Sequence, residues 1–173
     1  MPSPIGHALA GIAVGTLIGR DTRARVALWS GQRSILVLFA LLGIVPDIDL
    51  LASGSHRQAT HSLLGMVFAG GAIACVAPGR PWLWGASAAS YGSHLLLDWL
   101  GGDPVAPSGL MVFWPWDHSY YQSTLTWFYP VCREYWLRDC WISLTWTIGH
   151  EVMLLSPVAL CGLVVARWWP RRA

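Results

Sequence analysis

Apolar positions along this chain do not alternate or recur singly; they gather into five runs, at residues 4–19, 34–51, 61–77, 82–100 and 152–166. Runs of this length and uniformity predict helices apolar on every face, the pattern of membrane spans rather than of amphipathic surface helices. The first run has no Asp, Glu or Arg and holds Gly6, Ala8, Ala10, Gly11, Ala13 and Gly15, small residues that let helices approach closely in a bilayer. At about 24 Å if helical, it is short against a hydrocarbon core of about 30 Å. Pro46 is expected to bend or end the second helix, and Thr60 to cap the third, with His61 in its first turn. Residues 101–149 break the pattern. They carry six of the twelve tryptophans and four of the five tyrosines, mixed with Asp103, Asp117, Arg133, Glu134, Arg138 and Asp139. That mixture predicts a lid-like segment at headgroup level, anchored by aromatic rings and including a short helix around 140–148.

Composition agrees with the runs. The chain is 54% hydrophobic and 12% charged, with mean hydropathy +0.46, where a soluble domain carries about 25% charged residues. The expectation is all-α: one domain over residues 1–173, a polytopic membrane protein of about five apolar helices plus the aromatic segment. A net charge of +2, with no run of basic residues interleaved with aromatics, excludes nucleic acid as a partner. No basic residue precedes the first run, and His7 lies within it, which argues against a cleaved signal peptide. The four cysteines form no CxxC pair; Cys132 and Cys140 would have the chance to bond in an oxidising compartment, and Cys75 and Cys161 read as small apolar residues within spans. No nucleophile elbow, P-loop or dinucleotide fingerprint occurs.

The arginines orient the runs. All eleven basic residues are arginine; Arg20, Arg23, Arg25 and Arg33 follow the first run, Arg80 the third, and Arg167, Arg171 and Arg172 the fifth. If every run spans, these fall on one side, which the positive-inside rule makes cytoplasmic. His7, Asp47, Asp49, His56, His61, His94 and Asp98 then all lie at the outer face. His94 and Asp98, four apart, share one helical face. His118 and the pair His150-Glu151 also face outward, as polar residues among interfacial aromatics.

Carboxylates and imidazoles converging beside hydrocarbon require a positive partner, and a metal ion meets that need. The seven residues suit zinc, manganese or iron rather than calcium or magnesium, and zinc first. Their number allows one or two ions, the latter bridging the oxygens of a phosphoester or similar substrate. Asp49 is read as a general base toward the attacking water, and Arg57 as the group that neutralises a bound phosphate. The competing class is a non-catalytic membrane protein, a metal-binding transporter or an interaction protein, although a transporter would hold its polar groups near mid-membrane.

Four motifs, Gly6-His7, Pro46-Asp47-Ile48-Asp49, His56-Arg57-x-x-Thr60-His61-Ser62-Leu63 and Ser93-His94-Leu95-Leu96-Leu97-Asp98, together with the Gly109-to-Pro115 stretch, resemble the YdjM-like membrane-bound metal-dependent hydrolases of bacteria. The resemblance covers residues 4–120. It implies a multi-pass inner-membrane protein, membrane lipid as its surroundings, and metal-dependent hydrolysis of an amphiphilic small molecule or lipid. The His-x-x-x-Asp helix is more faintly similar to that of zinc-dependent phospholipase C enzymes. Residues 120–149 match no family pattern.

Overall fold

The computed structural model describes residues 1–19, 33–51, 57–104, 106–132, 134 and 136–168. Among the described residues five α-helices form: α1 (Pro4–Ile18), α2 (Arg33–Ile44), α3 (Leu63–Val76), α4 (Pro81–Trp99) and α5 (Arg138–Trp168). Among the described residues no strand forms, only isolated bridges pairing Gly101 with Phe128 and Leu110 with Tyr121. The all-helical expectation holds. The arginine-rich connection at 20–32 lies outside the described residues.

Helix boundaries follow local chemistry. Ser3 caps α1, its hydroxyl accepting from the Gly6 N–H, and Pro4 occupies the first turn, where no amide is needed. Pro46 ends α2, as its ring requires, and the chain continues as a 3₁₀ turn over Val45–Leu51. The cap of α3 differs from expectation. Ser62, not Thr60, accepts from Gly65 N, while the Thr60 hydroxyl donates to Asp49 and His61 ends a separate 3₁₀ turn, Ala59–His61. Pro81 opens α4.

The largest departure is α5. Its 31 residues run unbroken across the boundary expected between the aromatic segment and the fifth run, so the short helix expected at 140–148 and the run at 152–166 are one continuous helix. The tryptophans there are spaced along a helix whose outward side is apolar: Trp141, Trp146 and Met153 are exposed. Among the described residues, α5 is the one helix long and apolar enough to cross a membrane, through Arg138–Val165; α1 and α3 are shorter apolar helices.

Helix α1 is central, packing on α2, α4 and α5, while α3 packs on α4. Glycines set the tightest crossing. A Cβ at Gly11 would overlap the Phe39 carbonyl, and one at Gly43 the His7 carbonyl, so α1 and α2 meet backbone to backbone. Helix α5 runs parallel to α1, with Glu151 against Ser3 at one end and Gly162 against Ala13 and Thr16 at the other. One apolar cluster, of Ile35, Phe39, Leu83 and Ala86, fills the end near Arg80; another, of Ala10, Leu97 and Phe128, lies between α1, α4 and the aromatic segment.

That segment closes over the other end of the bundle. Gly109 adopts φ +98°, open to glycine at little cost, and a side chain there would strike the Tyr121 carbonyl. Tyr121 donates to Asp117 at 2.5 Å, which lowers the Asp117 carboxyl and raises the Tyr121 phenol. Cys132 and Cys140 are disulfide-bonded, tying the segment to the first turn of α5. Cys75 and Cys161 are free and exposed on α3 and α5.

Candidate metal centre

Three elements bring candidate ligands to one point: Asp47 from the turn after α2, His61 from the turn before α3, and His94 and Asp98 from the last turns of α4. One donor atom from each lies within 4.8 Å of the others. His61, His94 and Asp98 are buried, while Asp47 keeps 14% of its side chain exposed.

The histidine tautomers follow from their partners. His94 Nδ1 lies 2.8 Å from the Gly43 carbonyl and His61 Nδ1 lies 3.1 Å from Asp49 Oδ2. Both partners accept only, so each Nδ1 carries its proton, and in the neutral ring each Nε2 presents a lone pair. The two Nε2 atoms nevertheless face each other at 3.1 Å. A cation held between them would relieve that contact.

The spacing of the donors specifies its size. His61 Nε2 lies 3.5 Å from Asp47 Oδ1 and 3.4 Å from Asp98 Oδ2; His94 Nε2 lies 3.6 Å and 3.2 Å from the same atoms. With the Nε2–Nε2 distance, these are five of the six edges of a tetrahedron. Ligand bonds of ~2.0–2.1 Å, as zinc makes to imidazole and carboxylate, give tetrahedral edges of roughly 3.3–3.4 Å. The set fits. Asp47 Oδ1 and both Asp98 oxygens are also buried without a hydrogen-bond donor, the condition a cation would relieve.

The other expected residues lie around this core. His7 stacks on His94, with ring centroids 3.8 Å apart, and its Nε2 is 3.4 Å from the second oxygen of Asp98. Asp49 stands outside the four donors. Its Oδ2 receives the Thr60 hydroxyl at 2.5 Å, the Arg57 N–H at 3.0 Å and His61 Nδ1, so it orients a ligand in the way carboxylates behind metal-bound histidines do. Arg57, held at φ +68°, forks onto Asp103 and reaches the Pro107 carbonyl. Its guanidinium joins the aromatic segment to the Asp49 loop. His56 lies outside the described residues.

A cavity of about 370 Å³ opens at Asp47. Pro2, Pro4, Leu50, Asp103, Pro104, Pro130, Val131, Cys132 and Glu134 also line it, so α1, the Asp47 turn and the aromatic segment build its wall together. Asp47 is thus both a donor and the point of access. His118 is exposed on the aromatic segment. Glu151 is not the interfacial residue expected; it is fully buried against Ser3.

The chain belongs to the YdjM inner membrane protein family, whose profile matches residues 1–173. No curated protein and no solved structure shows a significant match.

Proposed function

We propose that this member of the YdjM inner membrane protein family is a multi-pass, metal-dependent hydrolase whose centre lies at the periplasmic face and acts on an amphiphilic, lipid-like ester or phosphoester. The five donor distances of 3.1–3.6 Å, matching the edge of a zinc tetrahedron, are the observation that carries the metal. Asp47, His61, His94 and Asp98 would hold one zinc ion, and His7 approaches on the other oxygen of Asp98, where a second ion would need it. Manganese and iron suit the same donors. A divalent metal held there supplies Lewis acidity and lowers the pKa of water.

The chain's own residues do the rest. Asp49 and the Gly43 carbonyl fix the tautomers of His61 and His94. The proline-rich cavity admits substrate at Asp47. Arg57 is engaged by Asp103, so a phosphate group would be neutralised by a metal held at Asp47, His61, His94 and Asp98 rather than by this guanidinium. Multi-pass insertion is supported by the surface: Val67, Phe68, Val76, Leu160 and Val164 face outward, while Thr16, Ser87, Ser90 and Ser93 are buried. A periplasmic centre is supported by the arginine distribution and by the disulfide on the same side of the bundle, a bond kept in oxidising compartments.

Purified protein in detergent should contain about one zinc per chain or more, and an Asp47→Ala/His94→Ala double variant none; equal metal in both would overturn the site. Zinc-loaded protein should then cleave members of a fluorogenic panel of acyl-ester and phosphoester amphiphiles, with activity lost to chelator and restored by zinc. A second reading is favoured by one observation: four protein donors complete a tetrahedron, as in structural zinc sites. Stoichiometric metal with no turnover across the panel selects that reading, a metal-binding membrane protein without hydrolysis.

A further inference from the structure

Glu151 stands among the apolar residues of α5, the one long span candidate, and is fully buried. An ionised carboxylate in that setting is costly and is retained where something specific receives it. What receives it is the N-terminus of α1. The Ser3 N–H donates to Glu151 Oε1 at 2.8 Å and the Ser3 hydroxyl donates to Oε2. The helix dipole favours an anion there, and the cap residue that anchors it is itself hydrogen-bonded to Gly6 N. Space is reserved as well, for a Cβ at Gly6 would come within 2.6 Å of Glu151 Oε2.

The same serine reaches the metal centre. Its carbonyl accepts from His7 N at 3.1 Å. His7 in turn stacks on His94 and approaches Asp98, two of the four donors. We infer that Glu151 is a positioning residue for the metal centre: by holding Ser3 it fixes the first turn of α1, and so seats His7 against His94 and Asp98. This inference rests on the metal reading of the site. It makes α5, which contributes none of the four donors, part of the machinery that shapes it.

The test is a double-variant cycle on the full-length protein in detergent, read as zinc affinity by competition with a chromophoric chelator and as the visible spectrum of the cobalt-substituted protein. Glu151→Ala should weaken zinc about tenfold and shift the cobalt bands, as loss of an outer partner does. In a His7→Ala background the same change should cost less than about twofold, because the route through His7 is already cut. Glu151→Gln, which can still accept from the Ser3 amide, should stay within about threefold of wild type. A full, additive loss in the His7→Ala background, or an unchanged affinity in Glu151→Ala, overturns the inference. If Glu151→Ala does not accumulate in the membrane, Ser3→Ala carries the cycle: a severalfold loss that vanishes with His7→Ala supports it, and an additive loss refutes it. Wild-type protein that takes up no zinc overturns the metal reading itself, a result distinct from either.

Discussion

At the scale of single residues, two aspartates separated by one position do different work. Asp47 points a buried, undonated oxygen at His61 and His94, whereas Asp49 spends its Oδ2 on Thr60, Arg57 and His61. Asp49→Ala should therefore leave the metal stoichiometry intact and weaken affinity by about 10–100-fold, the usual cost of losing a partner behind a ligand. Asp47→Ala should lower occupancy outright. Competition with a chelator separates the two, and equal effects would mean that Asp49 ligates directly. Acid should release the metal as well. Imidazole must be neutral to bind, so protons compete with the ion, and occupancy should fall as pH is lowered. Occupancy unchanged down to about pH 5 would argue against histidine ligation.

At the scale of elements, the centre depends on a glycine crossing. Gly43 brings α2 against α1 and offers its carbonyl to His94. Gly43→Ala should force the helices apart, lower the melting temperature through overpacking of about 1–3 kcal/mol, and weaken metal binding together with it. Stability lost with affinity kept would uncouple the crossing from the site. Much of this was legible in the sequence. The i,i+4 spacing put His94 and Asp98 on one face of α4, and the alternation of runs brought the end of α2 and the start of α3 to the same end of the bundle. What was not legible is tertiary. No local rule says which of Asp47 and Asp49 faces the donors, since a 3₁₀ turn after Pro46 sets that. Ser62 displaced Thr60 as cap because the Thr60 hydroxyl is drawn to Asp49. The continuity of α5 was hidden because His150 and Glu151 read as a polar break between a short helix at 140–148 and the apolar run at 152–166, whereas Glu151 is buried within one unbroken helix. Glu151 read as interfacial because its acceptor-only carboxylate finds its donors on Ser3, 148 residues away.

At the scale of the whole molecule, many polar side chains are buried while many large apolar ones are exposed. Ser3, His7, Thr16, His61, His94 and Glu151 are fully or almost fully enclosed, while Val37, Leu41, Val67, Phe68 and Val76 face outward. In the multi-pass reading proposed above, hydrocarbon around the bundle would account for that pattern, since side chains facing lipid lose nothing by being apolar and polar ones gain by turning inward. The short helices α1 and α3, 15 and 14 residues, then demand either a thinned bilayer or burial of their ends by neighbours, and the longer α4 and α5 stand beside them for the second. Orientation is the consequence to test. If the first connection, the turn at Arg80 and the C-terminus are cytoplasmic as proposed, alkaline phosphatase fused after Arg80 or after Ala173 should be inactive, and fused within 118–125 active. The same topology exposes Cys132 and Cys140 to the periplasm, so the free thiols of a reduced protein should react with a membrane-impermeant maleimide in intact cells only at these two positions of the aromatic segment and its junction with α5. The reversed fusion pattern would put the metal centre in the cytoplasm, where the disulfide would not persist and the substrate would be drawn from the inner leaflet.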